Sequence, residues 1–127
     1  MIKGGKMKLS VGTDIIEINR IKRLIDKDSK FIEKMYTDKE ILYCESKKEQ
    51  KYQSYAARFA AKEAIYKALS DKITSYTWKD FEIINSNKGK PEVFLHLDID
   101  EIDSIEISIS HCKEYAVAYV TAILKES

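Results

Sequence analysis

Apolar and polar residues alternate with strand character from Leu9 to Ile16, LSVGTDII, a short run interrupted by Gly12 and ending at Asp14. In the following IEINRIKRLIDK the spacing lengthens. Ile18, Ile21, Leu24 and Ile25 recur three and four residues apart, while Arg20, Lys22, Arg23 and Lys27 fill the other positions. This predicts an amphipathic helix with a basic, exposed flank. Thr37 followed by Glu40 reads as an N-cap with a capping box, so a second helix is expected from Asp38 to about Lys47. SKKEQKYQ reads as a solvated connection or first turn.

A long helix is expected from roughly Gln53 to Ser70, with no glycine or proline inside it. At roughly 100° per residue, Ala56, Ala60 and Ala64 form a small apolar stripe that lets another backbone come close. Glu63 and Lys67 project from that stripe, where packing should exclude charge, while Arg58 and Lys62 lie on the opposite side. The alternative for Glu63 and Lys67 is a surface pair, since they stand four residues apart in the favourable order.

Beyond Asp71 the pattern turns to strands at Phe81–Ile84, Glu92–Leu97, Ser104–Ser110 and Tyr115–Leu124, with period-two alternation clearest in SIEISIS. NSNKGKP is a turn cluster and HCKE a short connection. Helices followed by strands predict an α+β fold in which helices pack on an antiparallel sheet. No internal repeat or domain boundary interrupts it, and 127 residues suit a single domain.

Composition narrows the function classes. Twenty-two basic and 21 acidic residues leave a net charge of +1, which argues against nucleic-acid binding driven by overall charge. Cys44 and Cys112 are far apart and form no CxxC, so reduced thiols in a cytoplasmic protein are expected. No apolar run is long enough to cross a bilayer, and the opening MIKGGKMK is too short and polar for a signal peptide.

Asp14 and Glu63 are the first candidates for chemistry, because magnesium takes one or two protein carboxylates and completes its shell with water and phosphate oxygens. Spacing alone does not bring them together, and Asp14 by itself fits a turn or cap. His111 ends SIEISIS in register with Ile105, Ile107 and Ile109, on the apolar face. Lys90, between Gly89 and Pro91, stands where a bent backbone can present amides and an ammonium to an anion. Asp98, Asp100, Glu101 and Asp103 lack the glycine and terminal glutamate of an EF-hand and read as a solvated loop. Tyr36, Tyr43, Tyr52 and Tyr55 read as residues at the core edge rather than a base-stacking platform.

Taken together, VGTDIIEINRI, YAARFAAKEAIYKAL, NKGKP and SISHCKEYAVAYV closely resemble the holo-acyl-carrier-protein synthase family, the small 4′-phosphopantetheinyl transferases. The resemblance implies the 4′-phosphopantetheinyl transferase fold and a homotrimer with active sites at subunit interfaces. It implies coenzyme A as donor, a serine of acyl carrier protein as acceptor, and no nucleic acid or membrane. By the same motifs Asp14 and Glu63 bind Mg²⁺, which grips the coenzyme's diphosphate as the serine hydroxyl attacks the β-phosphorus. Glu63 is also the candidate base, directly or through water, and Lys67 neutralises phosphate charge.

Motif matching further assigns Arg58, Lys62, Lys67, Gly89, Lys90, Pro91, Ser110 and His111 to coenzyme A. Arg20 is assigned to the carrier protein, with Leu24, Lys27 and Lys30 continuing its face; the carrier is acidic, so a basic helix suits it. SDKITSY departs from the glycine-rich turn that many members place after the long helix. Ile16 stands where the larger two-lobed transferases carry a further acid, which favours the small class. The competing reading is a noncatalytic module whose basic helix docks an acidic protein or RNA, while Glu63 and Lys67 only stabilise their helix.

Overall fold

The computed structural model describes residues 6–126, so the first five residues of the polar opening run lie outside the described residues. Strand β1 (Lys6–Glu17) leads into helices α1 (Ile18–Lys27), α2 (Phe31–Met35) and α3 (Asp38–Ser46). A 3-10 turn (Lys48–Gln50) precedes the long helix α4 (Lys51–Leu69), and another (Trp78–Asp80) precedes β2 (Phe81–Asn85). Strands β3 (Pro91–Leu95), β4 (Ile102–His111) and β5 (Tyr115–Glu126) complete the chain.

The expected α+β architecture is present, with all pairing antiparallel, but the strands form two sheets rather than one. β5 is central between β1 and β4, and among the described residues β2 pairs only with β3. Asp14 does not end its strand as the sequence suggested. Pairing with β5 continues from Asp14↔Ala118 to Glu17↔Tyr115, and the partner strand carries β1 past the point where local pattern fades. The short α2 also escaped the pattern, being five residues long.

Helix α4 lies across the inner face of the three-stranded sheet. Ala56, Ala60, Ala64 and Ala68 are buried there, with Ala116, Ala118, Val120, Ala122 and Leu124 of β5 in the same core. The approach is closest at Gly12, where an added Cβ would lie 2.0 Å from the Ala64 carbonyl oxygen and 2.9 Å from the Ala68 nitrogen. No side chain fits there. Ser10 Oγ adds a hydrogen bond to the Ala68 carbonyl at 2.6 Å.

The other side of α4 is held by a buried ion pair. Lys62 Nζ, fully shielded from solvent, lies 2.9 Å from Glu40 Oε1 and donates to the carbonyls of Trp78 (3.0 Å) and Phe81 (2.6 Å). Glu40 closes the predicted capping box on Thr37, and its second oxygen accepts from the Ile83 amide at 2.9 Å. A buried pair is tolerable only when the remaining donors and acceptors are satisfied, as here. The sequence placed the charge that packing should exclude at Glu63 and Lys67; the structure places it at Lys62, because α3 and β2 cover that side of the helix. Tyr36 and Tyr55 go deeper than a core edge, being fully buried.

The opposite face of the three-stranded sheet is open. Met7, Leu9, Val11 and Ile15 of β1 are exposed there together with Tyr115 and Tyr119 of β5. Among the described residues, no helix is long and apolar enough to cross a membrane.

Replacing Gly12 by alanine is expected to lower the unfolding free energy by about 1–3 kcal/mol, because backbone rather than a movable side chain blocks the new methyl group. Gly89→Ala meets no atom within 4 Å but keeps a φ of +83°, and should cost only about 1–2 kcal/mol of backbone strain. Urea unfolding of both variants separates steric from conformational cost.

Candidate functional site

Residues 10, 12, 14 and 16 of β1 share the face that meets α4. Two strand residues advance about 6.7 Å and four helix residues about 6 Å, so contacts stepping from Ser10–Ala68 to Gly12–Ala64 bring Asp14 to the helix turn that carries Glu63. The two acids that sequence spacing left apart are thereby near enough for the charge of Asp14 to act on Glu63. Burial and then the Asp14 carboxylate hold the Glu63 carboxyl above its usual range, while Lys67 and Arg20 pull it down.

Lys67 Nζ lies 3.2 Å from Asp14 Oδ1 and donates to the Thr13 carbonyl at 2.9 Å. It thus reaches across to β1, and the surface pair with Glu63 is not formed. Glu63 is half-buried and Lys67 exposed, at the rim of the alanine stripe rather than inside it. Arg20, exposed on α1, comes close enough to act on Glu63, which the sequence did not show. Leu24 is half-buried against the core and Lys27 exposed at the end of α1. Lys30 falls outside that helix, in the turn that opens α2.

A second group of predicted residues gathers elsewhere. Arg58, Gly89, Pro91 and His111 line one cleft of about 200 Å³, together with Tyr43, Asn85 and Ile109. Arg58 is only 4 % exposed; its guanidinium carbon sits 4.2 Å from the Tyr43 ring centroid and its Nη2 donates to Asn85 Oδ1. Among the described residues no carboxylate pairs with it, and its Nε is buried without an acceptor. An uncompensated buried cation beside a cleft favours an anion.

His111 is exposed at the rim. It also borders a hollow of about 280 Å³ with Ser110, Cys112 and three residues of the open sheet face or its edge, Ile15, Tyr115 and Val117. Lys90 Nζ lies outside the first cleft, 3.7 Å from Glu106 Oε1. Lys62 does not join the cleft: its ammonium is turned inward onto Glu40, with no surface left for a ligand. The acidic residues at 98, 100, 101 and 103 are all exposed, as a solvated loop requires. Segment 70–76 returns to the core through Tyr76, whose ring stacks near Tyr66 and Phe81 at 5.0 and 5.4 Å.

The two groups occupy different sides of α4, since Arg58 and Glu63 are five residues apart and project about 140° from each other. The pair Asp14 and Glu63 suits a hard divalent cation that keeps most of its shell as water and phosphate oxygen. Among the described residues there is no cluster of three or more histidine, cysteine or acidic donors. Among the cleft residues that the sequence left unassigned, Tyr43 and Asn85 are the two that touch the Arg58 guanidinium, although Asn85 begins the NSNKGKP turn cluster.

The family model described as the 4′-phosphopantetheinyl transferase superfamily matches residues 10–120. A holo-[acyl-carrier-protein] synthase of Ruminiclostridium cellulolyticum is 49% identical over 95% of this chain and 96% of that relative. Another, from Thermoanaerobacter sp. strain X514, is 45% identical over 92% of this chain and 88% of its own length. Among solved structures, a Bacillus anthracis holo-(acyl-carrier-protein) synthase in complex with coenzyme A (3′,5′-ADP) superposes with a TM-score of 0.78 at 36% identity, covering 96% of this chain and 100% of that one. The Helicobacter pylori enzyme in complex with coenzyme A gives 0.75 at 33% identity, over 88% and 98%.

Replacing Asp14 by asparagine should bring the Glu63 carboxyl down toward its usual range, and Lys67→Met should push it further up. Carbon-detected NMR titration of the Glu63 side chain reads both signs.

Proposed function

The chain belongs to the 4′-phosphopantetheinyl transferase superfamily, and from this we propose that it transfers the 4′-phosphopantetheine group of coenzyme A to the serine hydroxyl of apo acyl carrier protein. The products are holo acyl carrier protein and adenosine 3′,5′-bisphosphate. The observation that carries this reading for the site is the convergence of Asp14 and Glu63, with Lys67 and Arg20 beside them.

Asp14 and Glu63 are the residues that hold Mg²⁺ in this proposal, which supplies charge neutralisation at the diphosphate when bound. Glu63 receives the serine proton, directly or through water. Proton transfer of this kind is worth about 10²–10⁴ in rate. Lys67 turns its ammonium to the leaving phosphate, and positioning and electrostatics do most of the work in such transfers.

Arg58, with His111 at the rim, takes a phosphate of coenzyme A, and Gly89, Lys90, Pro91 and Ser110 border the nucleotide. Lys62 is left out, because its charge is spent on Glu40. Arg20, Leu24 and Lys27 form the docking face for the acidic carrier, with Lys30 at its margin. The competing module that only binds an acidic protein or RNA would give Lys67 and Glu63 each other as partners, and Lys67 pairs with Asp14 instead.

The acidic pair and the Arg58 cleft lie on separate sides of α4, so one protomer does not assemble a whole site. The proposed assembly is a homotrimer in which the open sheet face packs against a neighbour. Exposed Leu9, Val11, Ile15 and Tyr119 support it, as does the hollow where Ser110 and His111 meet Ile15 and Tyr115. A cytoplasmic setting fits the two free thiols, Cys44 and Cys112.

Glu63→Gln should abolish the mass gain on the carrier serine while circular dichroism stays native; unchanged turnover would overturn the catalytic assignment. Lys27→Glu should raise the KM for carrier roughly tenfold at low salt, an effect that shrinks as the Debye length falls to about 8 Å near 0.15 M. If active sites are shared, mixing inactive Glu63→Gln protomers with Arg58→Ala protomers, at coenzyme A well below the KM of Arg58→Ala, raises the activity above that of Arg58→Ala alone, and separate sites give no gain.

A further inference from the structure

We infer that Asn85 is the positioning residue for the phosphate-binding guanidinium of Arg58, tying it to the turn at Gly89 so that both walls of the cleft are set before coenzyme A arrives. This rests on the reading of the cleft as the coenzyme's.

Asn85 is the last residue of β2, opposite Pro91 in the register, so its backbone is held by the hairpin. Its side chain is used at both ends. Oδ1 accepts from Arg58 Nη2, and Nδ2 donates to the Gly89 carbonyl at 3.0 Å. The turn is further closed by Gly89 N to Ser86 O and Ser86 N to Lys90 O, each 2.8 Å. One amide thus connects helix α4 to the glycine turn.

The chemical type matters as much as the geometry. A neutral acceptor orients the guanidinium without cancelling its charge, whereas a carboxylate in the same place would form an internal ion pair and remove the attraction for phosphate. The Tyr43 face supports the plane from one side, also without a countercharge. Lys62, one turn along the same helix, shows the opposite solution: Glu40 neutralises it and no ligand can reach it. The difference between the two cations lies in whether the partner side chain is charged.

The test is steady-state kinetics of the full-length enzyme with coenzyme A as the varied substrate. Asn85→Ala should raise the KM for coenzyme A roughly tenfold, the scale of one charge-assisted hydrogen bond, with kcat within about twofold. Asn85→Asp, nearly isosteric, should raise it further. A purely structural role predicts the reverse order, since aspartate keeps the shape and the acceptor.

In an Arg58→Ala background Asn85→Ala should raise the KM far less than tenfold, the remainder being what is lost at the Gly89 turn; Asn85→Asp is compared only with Arg58 present, because an unpaired carboxylate would itself repel the phosphate. Independent, multiplying effects overturn the inference, as does an unchanged KM in Asn85→Ala. If Arg58→Ala itself leaves the KM for coenzyme A unchanged, the reading of the cleft falls and the inference with it. Should the alanine variant fail to fold, Asn85→Asp with Arg58 in place decides the question alone: a KM raised more than tenfold is expected, and an unchanged one overturns the inference.

Discussion

The contact between Gly12 and the backbone of α4 is the constraint from which the arrangement of the acidic pair follows. A strand and a helix with side chains between them lie too far apart for short acids on each to share an ion. Removing the side chain at Gly12 and lining α4 with alanines brings backbone against backbone. The near match of two strand residues to four helix residues then carries the register from Ser10–Ala68 through Gly12–Ala64 to Asp14 beside the turn at Ala60 to Glu63, with the Lys67 ammonium reaching Asp14 from the next turn. A bulkier residue at position 12 would act on the site by lifting β1 away from the helix, without touching an acid.

The far side of α4 is fixed by charge instead of by small residues. Lys62 reaches Glu40, and Glu40 in turn holds the start of α3 and the amide of Ile83, so three elements are pinned at one carboxylate. Such a pair gives little net stability over an apolar core, but leaving either member alone inside is costly, which penalises misplaced packing of α3 and β2. Arg58 depends on this frame, since Tyr43 comes from α3 and Asn85 from β2.

Much of this was legible in the sequence because it is local. The capping box at Thr37 and Glu40, the uninterrupted α4 and the alternation in SIEISIS each depend on neighbours a few residues away. What escaped depends on partners far along the chain. β1 runs to Glu17 because β5, about a hundred residues later, pairs with it, and the two-sheet division arises because, among the described residues, β3 has only β2 as its hydrogen-bonded partner. The alanine stripe revealed that a backbone would come close; it could not reveal that α3 would cover the opposite side and bury Lys62. Arg58 and Lys62 read alike in sequence, and only their partners distinguish them.

Charge balance ties these observations together. The chain is nearly neutral, yet the neighbourhood of Asp14 gathers two acids and two bases, Lys67 and Arg20, whose charges cancel when all are ionised. Two carboxylates left alone would repel and drive one to take a proton. The flanking cations limit that tendency, so the acids stay together before any ligand is present. In the proposed function a divalent cation arriving with a diphosphate would bring nearly compensating charge, and the balance would survive binding. The Arg58 cleft is not balanced in this way: its buried cation has only an amide and a ring beside it, so affinity for an anion is built in rather than neutralised. The two regions therefore divide the task, one tuned to hold opposite charges close and the other to remain one charge short.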